Sequence, residues 1–114
     1  MDTGIQPSIH RKRNFFGTSQ TKDIDFRLSA LKRLKEAIRD SEDSIMTALA
    51  DDLAKPAFEA FTSELLFTIK EIDYHMKHLR SWAKPVRVRQ NLLTFPSRSW
   101  ITCEPYGVVL IIGP

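Results

Sequence analysis

From Thr21 onward, apolar side chains fall at helical intervals. Ile24, Leu28, Leu31, Leu34 and Ile38 are spaced by four, three, three and four residues and make one stripe. Arg27, Lys32, Arg33, Lys35 and Arg39 mostly lie off that stripe, where water can solvate them. Asp40 or Ser41 breaks the run and can cap a second helix, with Glu42 and Asp43 at its positive N-terminal end. In that helix Ile45, Leu49 and Leu53 recur every four residues. Lys55-Pro56 closes it, and proline is well placed to open a third helix. There Phe58, Phe61, Leu65, Ile69, Ile72, Met76, Leu79 and Ala83 recur at three or four residues, until Lys84-Pro85 stops the pattern. A helix from 56 to 83 would be roughly 42 Å long at 1.5 Å per residue. Helices of that length usually span a larger body than a small domain supplies.

Either side of this helical block the pattern differs. Residues 1–20 read as an N-terminal arm: Ile5, Ile9, Phe15 and Phe16 suit a short amphipathic helix or a loosely ordered arm docked through its two phenylalanines, and Gly17-Thr18-Ser19 breaks it. After Pro85 the period falls to two. Val86 and Val88 alternate with Arg87 and Arg89, which predicts an extended segment with one wet face. "NLLTFPS" interrupts it, "SWITCEP" predicts a second strand, and Glu104-Pro105-Tyr106-Gly107 predicts a turn. Then comes "VVLIIGP". Alternation stops there, and an unbroken β-branched run predicts a strand buried on both faces, the habit of a parallel sheet.

Such a strand needs neighbours and a crossover of a dozen or more residues to reach them. Left alone it exposes an apolar edge. The expectation is therefore that these 114 residues form the N-terminal piece of a larger α/β protein. The piece itself is mostly helical, with three or four helices followed by a β-hairpin-like stretch and the first strand of a sheet.

Charge adds little to that picture. Arg11, Lys12 and Arg13 against Asp2 give residues 1–20 a net +2, residues 21–83 carry −2, and Lys84, Arg87, Arg89 and Arg98 against Glu104 give the remainder +3. The basic excess thus sits in the flanks rather than along one element, which argues against nucleic-acid binding. A single cysteine excludes an internal disulfide and suits a reducing compartment. No stretch approaches the length of a membrane span, no apolar run at the N-terminus has signal-peptide length, and the chain reads as soluble and cytoplasmic.

Three groups of side chains invite a chemical reading. Cys103 lies in a predicted strand with no neighbouring cationic cluster in the sequence, so a structural cysteine is the simpler reading than a nucleophile. His75 and His78 share a helix face, but zinc needs three or four ligands and no third is evident; solvated histidines fit better, and no metal is expected. Lys84, Arg87, Arg89 and Arg98, with Trp82 and Phe95 nearby, resemble a single-strand nucleic-acid surface. The alternation of Val86 and Val88 favours a strand with a charged outer face instead.

The segments "DLAKPAFEA", "SELLFTIKEIDYHMKHLRSWAKP" and "EPYGVVLIIGP", in this order and at these separations, closely resemble the N-terminal region of aldehyde dehydrogenases, most of all the class 3 type. The resemblance runs from about Phe15 to Pro114. It implies an α/β parent with a Rossmann-like NAD(P)-binding sheet. Residues 21–83 would be the helical part of the NAD(P)-binding domain, 84–107 an extended segment associated with dimerisation, and 108–114 the first strand of the cofactor sheet. In the family that strand leads to a Trp-Asn pair whose Asn helps hold the oxyanion, while a cysteine thiolate attacks the aldehyde, hydride passes to the nicotinamide and a glutamate activates water. None of those catalytic positions has a counterpart in this sequence, and Cys103 does not match the family's nucleophile. Only Ile112, Gly113 and Pro114 match positions near the cofactor. The resemblance implies NAD or NADP as cofactor, an aldehyde as substrate and a homodimer when intact, with this chain inactive alone. The alternatives are a non-enzymatic truncated homologue or helical interaction module that pairs with a full-length subunit, and a basic nucleic-acid-binding helical domain.

Overall fold

The computed structural model describes residues 5–89, 93 and 95–112. The chain divides into two compact units, one of Met1–Arg27 with Ser81–Pro114 and the other of Leu28–Arg80. The first of these contains a regular helix, α1 (Ile5–Gly17), so the short amphipathic helix is the form the arm takes over those residues. Pro7 sits in its first turn, where a missing N–H costs nothing. At its end the Thr18 N–H and hydroxyl both donate to the Phe15 carbonyl, at 3.1 and 2.7 Å, and Ser19 takes a left-handed conformation (φ 62°).

A 3₁₀ turn (Gln20–Lys22) follows, and then α2 (Ile24–Asp40). The start of α2 is set by Asp23, whose Oδ2 accepts the Phe26 N–H at 2.8 Å. Helix α3 (Glu42–Leu53) comes after a single residue, Ser41. Ser41 stands at the cap position but its side chain caps nothing; the Ser41 N–H reaches back to Ala37 and its carbonyl accepts from Ile45, so backbone hydrogen bonding carries almost unbroken from α2 into α3. Ala54 closes α3 in the left-handed region at φ 49°.

The third predicted helix is present, but it is not uniformly α. Pro56 accepts the Ala60 N–H and starts α4 (Ala57–Ala60); a π-helical turn (Phe61–Leu66) and α5 (Phe67–Trp82) continue it. The buried apolar side chains among the described residues are Ala60, Leu65, Ile69 and Ile72, all on this long helix. Their spacing explains the π turn. Five residues separate Ala60 from Leu65, which in a uniform α-helix would set them about 140° apart. The i→i+5 repeat of a π turn restores a shared face. The expected stripe of Phe58, Phe61 and Leu65 is corrected accordingly: Phe58 is 81% exposed and Phe61 is exposed, while Ala60 takes the core position.

The stripe on α2 needs a similar correction. Leu34 is 50% exposed, and the half-buried position beside it belongs to Lys35. The Lys35 ammonium donates to Asp73 Oδ1 of α5 at 2.5 Å. A long aliphatic stem lets lysine occupy an apolar margin while its charge is met by a carboxylate. In the same unit Lys55 pairs with Glu64 of the π turn, so a second ion pair bridges the junction between α3 and the long helix.

The hairpin-like stretch is a two-stranded antiparallel sheet, β1 (Val86–Val88) on β2 (Ser99–Ile101), with Val86 opposite Ile101, Arg87 opposite Trp100 and Val88 opposite Ser99. The valine face is not buried: Val86 and Val88 are both exposed. The expected turn at Glu104-Pro105-Tyr106-Gly107 does not form as a hydrogen-bonded turn; residues 102–107 are irregular, and the left-handed backbone comes at Gly107 (φ 97°). A Cβ there would meet the Phe16 ring only at 3.5 Å, an ordinary contact, so the positive φ rather than lack of space favours glycine. Residues 108–112 carry no strand pairing in the described chain.

Candidate functional site

The residues singled out in the sequence form four groups. Ile112 is exposed (86%) and makes no described element, and Gly113 and Pro114 lie outside the described residues. The run leading to Ile112 nevertheless shapes a cavity: Val108, Val109 and Leu110 face Ile5, Ser8, Ile9, Lys12 and Arg13 of α1 across about 440 Å³. Its floor is apolar and two cations stand on its wall. Ile5 and Ser8 belong to the first turn of α1, so the N-terminal end of that helix borders the cavity.

A second cavity, of about 260 Å³, gathers Cys103 with Thr102, Glu104 and Pro105 from one stretch and Lys22, Ile24, Arg27 and Ala83 from others. The sequence offered Cys103 no cationic neighbours; the fold brings Lys22 and Arg27 into the same cavity from about eighty residues away. The thiol is free and exposed. The lining includes no histidine, the usual partner of a nucleophilic cysteine; its carboxylate is Glu104, next to Cys103 in the chain.

His75 and His78 do not assemble a metal centre. The His75 Nδ1–H donates to the Glu71 carbonyl at 2.8 Å, and the His78 ring packs against Tyr74 with centroids 4.4 Å apart. Among the described residues no group of three His, Cys, Asp or Glu side chains could hold a metal ion. The basic stretch is dispersed: Arg87 sits in β1 opposite Trp100, Lys84 in the link from α5, and Arg89 and Arg98 flank the sheet. Among the described residues, no helix is long and apolar enough to cross a membrane.

One carboxylate is electrostatically distinctive. The hydrogen bond from Lys35 holds Asp73 below the ordinary carboxylate range; partial burial opposes the shift, and Arg39 and Lys70 add to it. It lies in the helical unit and tethers α2 to α5, which is a structural task. Asp23, the capping residue of α2, was missed in the sequence reading although the signal was available: an aspartate directly before the first periodic apolar residue.

Residues 8–114 match the model of the aldehyde dehydrogenase family. The 4,4'-diaponeurosporen-aldehyde dehydrogenase of Staphylococcus aureus is 44% identical over 110 residues, 96% of this chain and 24% of that protein. Aldehyde dehydrogenase family 3 member B1 of Rattus norvegicus is 37% identical over 96% of this chain and 24% of its own length. Family 3 member A2 of Macaca fascicularis is 33% identical over 96% of this chain and 22% of its own length. A solved structure described as the substrate-bound state of Staphylococcus aureus AldH superposes with a TM-score of 0.87 at 41% identity, over 90% of this chain and 22% of that one. The chain thus spans about a quarter of the length of the curated relatives it matches.

Proposed function

The chain belongs to the aldehyde dehydrogenase family, and from that premise we propose that it is the N-terminal part of a class 3-like dehydrogenase that oxidises an aldehyde to a carboxylic acid with NAD or NADP. The observation that carries the reading is the continuity of the match: one family model covers residues 8–114, and relatives from a bacterium and from mammals align over almost the whole chain.

In this reading the helical unit supports the cofactor-binding domain, the sheet of β1 and β2 belongs to the part of the subunit that pairs in a homodimer, and residues 108–114 enter the cofactor sheet as its first strand. Ile112, Gly113 and Pro114 are the positions of this chain that would lie near the cofactor. Ile112 is exposed, and the cavity beside the run that leads to it sets Lys12 and Arg13 against an apolar lining. The chain's own contribution is therefore to position the sheet, and the thiolate, the general base and most cofactor contacts come from elsewhere in the subunit. Alone, the chain gives no turnover, and it resides in the cytoplasm.

A chimaera tests this. Residues 8–114 replace the matching segment of the S. aureus relative, and the product is assayed for aldehyde-dependent reduction of NAD and NADP. Activity in the chimaera and none in the isolated chain is the expected pair of results. A soluble, folded chimaera that reduces neither cofactor would overturn the reading, as would turnover by the isolated chain.

A further inference from the structure

Helix α1 ends on two adjacent phenylalanines that reach in different directions. The Thr18 and Ser19 N–H groups donate to the Phe15 and Phe16 carbonyls at 3.1 and 3.0 Å and close the helix at those residues. Successive helical positions stand about 100° apart, so the two rings leave on separate faces. Phe15 meets Phe26 near the start of α2, with ring centroids 6.1 Å apart and planes tilted by 53°. Phe16 is half-buried and lies over Gly107, its ring carbons 3.5 to 3.8 Å from where a side chain there would begin. The segment around that contact is loosely filled on either side. Residues 102–105 line a cavity with Lys22, Ile24 and Arg27, and Val108, Val109 and Leu110 line another with Ile5, Ser8 and Ile9 of α1. Between these two spaces the Phe16 ring touches the chain at its left-handed residue, Gly107 at φ 97°.

A glycine is where a backbone swings most freely, and this one stands immediately before the apolar run. We propose that Phe16 is a positioning residue for the cofactor: braced through its neighbour Phe15 on Phe26, it pins Gly107 and so sets the direction in which residues 108–112 leave it. The inference rests on the dehydrogenase reading, in which that run is the first strand of the cofactor sheet. At about 3.3 Å per residue the run is roughly 16 Å long, so a swing of about 4° at Gly107 carries its far end about 1 Å. Displacements of that size at a reacting centre can cost about a hundredfold in rate. Ladder hydrogen bonds from neighbouring strands oppose the swing, so a smaller effect is expected. It falls on the cofactor rather than the aldehyde, because the far end of the run, Ile112, is where the positions near the cofactor begin.

The test uses the chimaera with the S. aureus relative, which carries both Phe16 and Gly107, in the same aldehyde-dependent assay. Phe16→Ala is expected to raise KM for NAD or NADP about tenfold and KM for the aldehyde by no more than about twofold. Phe16→Leu keeps an apolar contact on Gly107 and should return the cofactor KM to within about twofold of the parent. Ile72→Val removes a methyl group from the core of the helical unit, where Ile72 is 6% exposed; it should lower the melting temperature and leave both KM values as in the parent. Gly107→Ala strains the positive φ and should also raise the cofactor KM. Because ring and glycine act through one contact, Phe16→Ala/Gly107→Ala should fall short of the product of the two single effects. With an active parent chimaera, an unchanged cofactor KM in Phe16→Ala, an equal rise in both KM values, no rescue by leucine, or a double variant that multiplies the single effects would overturn this inference alone. A folded parent chimaera without activity overturns the dehydrogenase reading, and the inference falls with it.

Discussion

Lys35 and Asp73 show how one pair of side chains can replace an apolar contact. The lysine stem occupies the margin of the α2–α5 packing and its ammonium lowers the carboxyl's pKa. A carboxylate that ionises more readily in the folded chain adds stability above its unfolded value of 3.8, and that contribution disappears as pH falls through the lower, folded value. Thermal melts of the parent should therefore lose stability as pH drops below about 4, and Asp73→Asn should flatten that part of the profile while lowering stability at neutral pH. A profile of unchanged shape in the variant would show that the pair does not hold the two helices. Packing contrasts with charge along the same helix. Leu65 is 2% exposed, and Leu65→Ala should cost about 2–5 kcal/mol by denaturant titration. Phe58 is about two helical turns earlier in the predicted stripe but 81% exposed, and Phe58→Ala should change stability of the isolated chain by no more than about 0.5 kcal/mol.

At the scale of elements, the π turn is where periodicity in the sequence and the structure part company. The intervals Phe58, Phe61, Leu65 look like an uninterrupted α stripe because each is three or four residues, and nothing in the sequence marks the extra residue of the π turn. The distinction is made by packing: Ala60 is small enough to let another helix approach closely, so the wide turn serves it rather than the bulkier phenylalanines. Deleting Ser63, exposed on that turn with its hydroxyl donating to the Glu59 carbonyl, would bring Ala60 and Leu65 to an α spacing of four. The deletion should leave helical circular dichroism intact and change stability by less than about 1 kcal/mol, whereas deleting Lys70 in α5 should rotate the flanking core positions about 100° apart and unfold the chain. Elsewhere the pattern was readable. Two of the three α-helical blocks, the break at Lys84-Pro85 and both strands of the sheet follow directly from apolar spacing and proline. The cavity around Cys103 was not, because Lys22 and Arg27 reach it only through tertiary folding and no local signal couples residues so far apart. Leu34 and Lys35 were exchanged for a related reason: helical phase alone cannot tell which of two adjacent positions faces a carboxylate on another helix.

For the molecule as a whole, residues 108–112 join local and global levels. Five apolar residues in sequence are mostly exposed here, with Leu110, Ile111 and Ile112 each above 80%, and they carry no strand pairing in the described chain. β-branched, uncharged and free of proline, such a run pairs with whatever edge it meets. The proposed dehydrogenase supplies the right edge, a parallel sheet that covers both faces; the isolated chain supplies only other copies of itself. One substitution separates these settings because its effects should be opposite in sign. In the isolated chain, Leu110→Lys places a solvated charge on an exposed run and should reduce concentration-dependent association in sedimentation velocity. In the chimaera with the S. aureus relative, the same lysine would be buried in a sheet without a partner, at a cost of several kcal/mol, enough to abolish soluble active enzyme. Improved solubility of the isolated chain together with a lost chimaera would place the run in the sheet. A Leu110→Lys chimaera of full activity would show that 108–112 stays on the surface even in the complete subunit, and the role of this segment as the first sheet strand would fall.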